Sequence, residues 1–511
     1  MASNQLTSDK WGFSVATDNP FAIFSLLQKI AQENAETVID LSRGDPGYGF
    51  TPSVRGRKFF SYLILLDSYL NHDRRRFVDF AENQYEEILA DIVDFTGYSY
   101  SKVAADDLIR DLEFFIDSVI EAAGECGLTW SRFDVLKRIF SYCPVSGGSY
   151  LNPQGEEITR VVLAGRYKKF IETPFDHNDL ILFNGASHAI GSLFKALGKS
   201  GIDYLNADGV VVICSPAYAP YLRSLDNLGI RSFSLSVNPL NGKIPGESLD
   251  HLEELKENVK AIILIDPNNP TGFSLEAETL ERIAKIAKDK DCMIISDEVY
   301  TSFFPKKKTI VDYAPERTLR IDARSKIERS TGLRFGDLLI PEAANRYLTD
   351  NVLKECIGPG RDLKGLLMQA KGPGGVEGEF KHTTFVPGPS QFLGICHMIM
   401  GESERKEYFE SVKENSAIFL KELGLGERAN LYYSIFDLNE IEGCKKTDVP
   451  VEEKLTELAK RGVVYLPVYL FFSELERKET ASLNMVRASV VNTNAVNVKK
   501  AAQITKKYLT S

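Results

Sequence analysis

Apolar residues recur along this chain with two different periods, and the change of period divides it into three stretches. In the first, up to about Ser141, Phe77, Phe80, Ile88, Leu89, Ile92, Val93 and Phe95 recur mostly three and four apart. Leu108, Leu112, Phe115, Ile116, Val119 and Ile120 do the same. That spacing predicts amphipathic helices, with apolar faces packed on the rest of the protein or on a partner subunit. Ahead of them, Leu41-Ser42-Arg43-Gly44-Asp45-Pro46-Gly47 predicts a turn after a short apolar run.

The second stretch, from about Ser149 to Pro341, changes period. Asp179 to Phe183, Gly209 to Ser215, Lys260 to Ile265, Cys292 to Ser296 and Thr318 to Asp322 are short, mostly apolar and rich in β-branched residues. Strands covered on both faces have that character. Helical patterns such as Leu280 to Asp289 separate them. The expected class is therefore α/β, with a mostly parallel open sheet between helices, whose ligands bind beyond the carboxyl ends of the strands. The third stretch, Pro341 to Ser511, mixes helices with strand-like runs at Gly462 to Leu466 and Asn484 to Val491. Its Gly-rich segment, Gly372-Pro373-Gly374-Gly375-Val376-Glu377-Gly378, reads as either a lid or a plain surface loop.

Composition changes the picture little. A chain of 511 residues suits two to four domains at roughly 100–200 residues each. The net charge of −10 argues against a nucleic-acid partner, which needs a basic face. The seven cysteines form no C-x-x-C pair, and the six histidines have no metal-like spacing, so no disulfide framework and no metal site is expected. Met1 to Phe13 lacks a basic start with a long apolar run, and the apolar runs elsewhere are too short to span a bilayer. The expectation is a cytoplasmic protein with no membrane partner.

Three polar signals follow strand candidates in order. They are Asp266-Pro267-Asn268-Asn269-Pro270-Thr271-Gly272, then Ser296-Asp297-Glu298-Val299-Tyr300, then Ser325-Lys326 with Gly332-Leu333-Arg334-Phe335-Gly336 downstream. Singly they are a turn, a helix-capping acid and a surface pair. Together they would set an amide, an acid, a phenol, an amine and a guanidinium around one cleft.

The third signal fits the pattern S-K-x-x-x-x-x-G-x-R-x-G at every fixed position. With the other two, it resembles the fold-type I pyridoxal-phosphate enzymes of the class I/II aminotransferase group, over about Val38 to Thr51 and from Ser149 onward. The resemblance implies pyridoxal 5'-phosphate as cofactor. Lys326 would hold it covalently and later carry the substrate α-proton. Asp297 would pair with its pyridine nitrogen, and Tyr300 and Asn269 would hydrogen-bond its ring hydroxyl. Ser325, Arg334 and the helix-opening Gly185-Ala186-Ser187 would bind its phosphate, and Tyr218 would stack on its ring. Tyr150, with Gly155 beyond it, would reach the phosphate of a neighbouring subunit, so a homodimer or larger homo-oligomer is implied. Arg487 would clamp the α-carboxylate of a small-molecule amino-acid substrate, with Asn269 and Arg43 beside it. His188 follows the phosphate loop and either lines the site or serves the helix.

Implied boundaries are an N-terminal arm and part of a small domain (1–52), a helical insertion (53–148), a large cofactor domain (149–345) and connecting helices with a C-terminal small domain (346–511). Within the group, bacterial aspartate 4-decarboxylases carry a helical insertion at that place. Arg43-Gly44-Asp45-Pro46 resembles their Arg-Gly-Asn-Pro turn, and Arg55-Gly56-Arg57-Lys58-Phe59-Phe60 resembles a basic-aromatic run of theirs. The expected activity is transamination of aspartate, β-decarboxylation of it to alanine and carbon dioxide, or both. The alternatives are another lyase or cyclase on the same cofactor and a catalytically silent binding homologue. Three departures stand out: Ala323-Arg324 precedes Ser325-Lys326 where the pattern has Ser-x, Ile327-Glu328-Arg329-Ser330 after the lysine is more polar than the usual aromatic and small residues, and Phe471 to Arg477 replaces a Gly-rich loop.

Overall fold

The computed structural model describes residues 20–46, 52–74, 76–99, 102–142, 144–206, 208–304, 307–370, 386–426, 428, 432–480 and 483–511. The Gly-rich segment at 372–378 lies outside them. The chain forms two units, one of residues 1–50, 205–303 and 407–511, the other of residues 51–204 and 304–406. Strands are numbered in chain order: β1 Ile39–Asp40, β2 Leu180–Phe183, β3 Gly209–Ser215, β4 Ser232–Ser236, β5 Asn258–Ile265 and β6 Met293–Asp297. They continue as β7 Thr318–Ala323, β8 Gly336–Leu339, β9 Tyr433–Asp437, β10 Val463–Val464, β11 Leu466–Pro467 and β12 Met485–Ser489.

In the first unit β4, β3, β5 and β6 pair in parallel in that order. Every residue of β3 and of β6 is buried, which explains why their sequences carry no alternation. Ile213 pairs with Ile263, and Ile265 with Asp297, so Ser215, Ile265 and Asp297 end their strands at one level. The expected strands are thus present, each within two residues of its predicted ends. The edge strand β4 was not legible: Ser-Phe-Ser-Leu-Ser buries one residue only, and its polar positions read as loop. A second, antiparallel sheet runs β11, β12, β9 and sets Arg487 between Leu466 and Ile435. The predicted run Gly462 to Leu466 is two strands, since β10 pairs with β1 and β11 with β12. Ile23, Leu27, Phe419, Phe436, Leu455, Tyr465, Val498 and Leu509 are among the core residues there.

In the second unit β8 lies antiparallel to both β2 and β7. Gly336 is level with Phe183 on one side and Ala323 on the other. The register therefore gathers at one end the residues after Phe183, those before Gly336 and those after Ala323. The helical stretch becomes Val54–Ser68, Tyr85–Ser99, Lys102–Glu125 and Arg132–Phe140. Ser53 opens the first of these by accepting from Gly56 N at 2.9 Å, and a reciprocal Ser131–Asp134 box opens the last. Their inner faces, with Phe59, Leu63, Ile88, Ile92, Leu112, Phe115, Ile116 and Leu136, belong to one core. Phe77 and Phe80 depart from the prediction. Phe77 opens and Phe80 follows a single 3-10 turn, Phe77–Asp79, whose three-residue period also fits their spacing.

That core carries an acid-sensitive group. His397, on the helix Gly388–Met400, shares a 2.8 Å hydrogen bond with Ser330 Oγ, and both residues are buried. Burial, opposed by the nearby Glu328 and Glu404 and reinforced by Arg57 and Arg329, pulls the imidazole down to about 4. An unfolded histidine titrates near 6.5, so above that pH the neutral ring has no cost. Between pH 6.5 and 4 the unfolded chain binds the extra proton first, and stability falls. His397→Gln is expected to reduce the loss by about 2–3 kcal/mol, measured as the difference in unfolding free energy between pH 7 and pH 4.5.

Candidate active site

In the first unit the level strand ends explain which side chains meet. Asn269 lies four residues beyond β5, Asp297 closes β6, and Tyr300 follows three residues later. All three are nearly inaccessible. Asp297 Oδ2 accepts from Tyr221 Oη at 3.1 Å, and its Oδ1 from Val299 N at 3.3 Å. Tyr218 is half-buried at the head of the helix Ala219–Asn227, with its ring 6.4 Å from that of Tyr221. Tyr300 Oη lies 3.0 Å from Tyr433 Oη. Burial first, then Tyr433, Asp297 and Tyr218, hold the Tyr300 phenol well above its usual titration range.

Arg487 joins this group from β12. Its Nη1 donates to Asn269 Oδ1 at 3.1 Å and its Nη2 to Ser42 O. The guanidinium lies 4.5 Å from the Tyr433 ring centre and 4.7 Å from that of Phe471. It is buried, its Nε has no hydrogen-bond partner, and no carboxylate pairs with it among the described residues. A buried cation without a counter-ion is costly, and a carboxylate ligand would supply two charge-assisted hydrogen bonds. Arg43 sits apart from this pattern: it is half-buried and already forked onto Asp45. Tyr221 and Tyr433 were not singled out in the sequence, where single tyrosines give no signal, and Ser42 and Phe471 were named there only within a turn and within the segment that departs from the pattern.

The second unit holds the other predicted residues. Gly185 has φ of +83° and opens the helix Ala186–Leu197. A Cβ on it would stand 2.6 Å from Arg334 Nη2, so glycine is what lets that guanidinium lie against the helix start. Arg334 is exposed, with Nη1 donating to Thr331 O at 3.2 Å and Nη2 to Asn184 O at 3.4 Å. Ser187 is exposed on the first turn, and Ala186 is half-buried. First-turn amides, a hydroxyl and a guanidinium at one helix N-terminus make an anion cradle. His188 serves the turn, as its Nδ1 accepts from Asn184 N at 3.2 Å. Ser325 and Lys326 are half-buried on the short turn Arg324–Ile327 directly after β7. Tyr150 stands apart from them, 94% exposed in a loop.

Arg324 is turned the other way. It is fully buried, within 2.7 Å of Asp322 and 3.5 Å of Asp337, and donates to Tyr167 Oη at 2.7 Å. Arg320 pairs with Asp322 at 3.0 Å. Burial pushes Asp337 up to about 6. Arg324, noted in the sequence as a departure from the pattern, neutralises a buried acid cluster beneath the turn that bears Lys326. Among the described residues no group of three or more histidines, cysteines or acids could hold a metal, and no helix is long and apolar enough to cross a membrane.

An α/β fold with these residues at its strand ends defines a class. Residues 147–354 match the family described as aminotransferase class I and II, whose enzymes depend on pyridoxal phosphate. Over 468 residues the chain is 22% identical to the bifunctional aspartate aminotransferase and L-aspartate beta-decarboxylase of a Pseudomonas species, covering 84% of this chain and 83% of that one. It is 28% identical over 186 residues to an aspartate aminotransferase of Pyrococcus horikoshii, 36% of this chain and 46% of that one. In fold it is similar to a double mutant of Thermus thermophilus aspartate aminotransferase, at 17% identity and a TM-score of 0.61, with 98% of each chain covered.

Proposed function

We propose that this chain is a pyridoxal-phosphate enzyme acting on an α-amino acid, with aspartate as substrate, by transamination, β-decarboxylation to alanine and carbon dioxide, or both. The observation that carries the reading is Arg487, a buried guanidinium with an unpartnered Nε and, among the described residues, no acid paired with it. The residues also fit the cofactor. A Cβ at Gly185 would fill the space against Arg334, and Asp297 is a buried carboxylate with a phenol on one oxygen. The cofactor, when bound, supplies a conjugated ring that takes up electrons released at the substrate.

The chain's own groups do the rest. Arg487 fixes the α-carboxylate, with Asn269 holding the guanidinium in place. Lys326 holds the cofactor and carries the α-proton, a task a half-buried amine suits. Asp297 keeps a positive charge on the pyridine nitrogen, and Tyr300, held protonated, donates to the ring oxygen. Gly185, Ala186, Ser187, Ser325 and Arg334 bind phosphate, Tyr218 stacks on the ring, and Arg43 borders the substrate. Tyr150, exposed in its loop, serves a partner subunit in a homodimer or larger homo-oligomer. The six described cysteines are free thiols, which suits a reducing cytoplasm.

The test is an assay of the purified, cofactor-loaded protein with L-aspartate, following alanine, oxaloacetate and carbon dioxide together. Alanine and carbon dioxide rising in step support decarboxylation. Oxaloacetate formed only when an acceptor keto acid is present supports transamination. No turnover of aspartate removes that substrate.

A further inference from the structure

Two arginines flank one short segment of the first unit, and their charges are balanced differently. Arg487 lacks an acid, as described. Arg43 has one two residues away: Nε meets Asp45 Oδ1 at 2.9 Å, and Nη2 meets Oδ2 at 3.1 Å. This two-point fork is the geometry a carboxylate ligand would use. The fork is accessible, since the two side chains are 29% and 27% exposed.

The segment is tied to the Arg487 group. Ser42 O accepts from Arg487 Nη2, Ser489 N donates to Leu41 O at 2.6 Å, and Tyr432 Oη donates to Gly44 O at 2.7 Å. A Cβ at Gly44 would come within 2.0 Å of Tyr433 Oη, so only glycine lets the turn lie this close. A ligand whose carboxylate sits on Arg487 therefore lies beside residues 42–45.

We infer that Asp45 is a specificity-determining residue that withholds Arg43 from the substrate side chain, an inference that rests on the function proposed above. A second carboxylate on the ligand has to displace Asp45 from Arg43 and then sit beside its negative charge. An uncharged amide side chain does neither. The enzyme accordingly discriminates weakly between aspartate and asparagine, and between a dicarboxylate and its monoamide.

The experiment compares the wild type with Asp45→Asn. It reads the ratio of kcat/KM for aspartate over asparagine, and the ratio of calorimetric affinities for succinate over succinamate. In the variant both ratios rise about tenfold, the scale of a half-exposed ion pair and one repulsive charge. Ratios within twofold of wild type overturn the inference. Asp45→Ser removes the same charge and takes the place of Asp45→Asn if that variant does not fold. Failure of the parent reading shows separately: the wild type then binds neither succinate nor succinamate and has no Lys326-dependent cofactor absorbance, and this inference falls with it.

Discussion

Replacing Lys326 with alanine is expected to lower turnover of any amino acid by about 10⁴-fold or more, while the cofactor-free protein keeps its stability within about 1 kcal/mol. The asymmetry follows from position. Lys326 is a half-buried residue on a four-residue turn, whereas the residues below it, Arg324 and Ile327, are buried. On the proposed function, removing its amine would delete both the covalent tether and the proton carrier while leaving the packing alone. The buried pairs Arg324–Asp322 and Arg320–Asp322 continue to hold the turn on β7. Single-turnover kinetics and denaturant unfolding of the same preparation check both halves. A variant that loses stability in step with activity would show that Lys326 serves the fold.

Arg487→Leu is the second large effect. Loss of a forked, buried carboxylate partner is expected to lower kcat/KM for amino acids by about 10²–10³. The guanidinium is desolvated without a counter-ion, and burial already pulls its pKa down. Leucine relieves that penalty but leaves Ser42 O and Asn269 Oδ1 without their donor. These terms oppose each other, so the unfolding free energy is expected to move by less than about 2 kcal/mol. Arg487→Lys keeps the charge but not the planar fork and is expected to recover little activity. Steady-state kinetics on both variants, with unfolding curves, test the prediction. Full activity in Arg487→Lys would mean that charge alone suffices.

What was legible in the sequence follows from periodicity. β3 and β6 are buried throughout, and β5 from Ala261 to Ile265, so they announce themselves as apolar runs, while β7 is buried although it carries Arg320 and Asp322; the strand ends bearing Asn269, Asp297 and Lys326 were thus placed in advance. β8 was missed because Gly-Asp-Leu-Leu is short and carries Asp337, whose charge is balanced by residues remote in sequence. Tyr433 and Tyr221 were missed for a similar reason. Their hydroxyls matter only through partners 133 and 76 residues away. Arg324 stood out as a departure, but only its surroundings show that it faces the acids of β7 and β8. Arg43 was read as bordering the substrate, and its ion pair with Asp45 adds a constraint that a single sequence cannot display.

The central claim is that Lys326 carries pyridoxal phosphate. Borohydride reduction of the cofactor-loaded protein, followed by peptide mass spectrometry, tests it most directly. One stable phosphopyridoxyl adduct is expected, on Lys326 and lost in Lys326→Ala. An adduct on another lysine, or none at saturating cofactor, would contradict it.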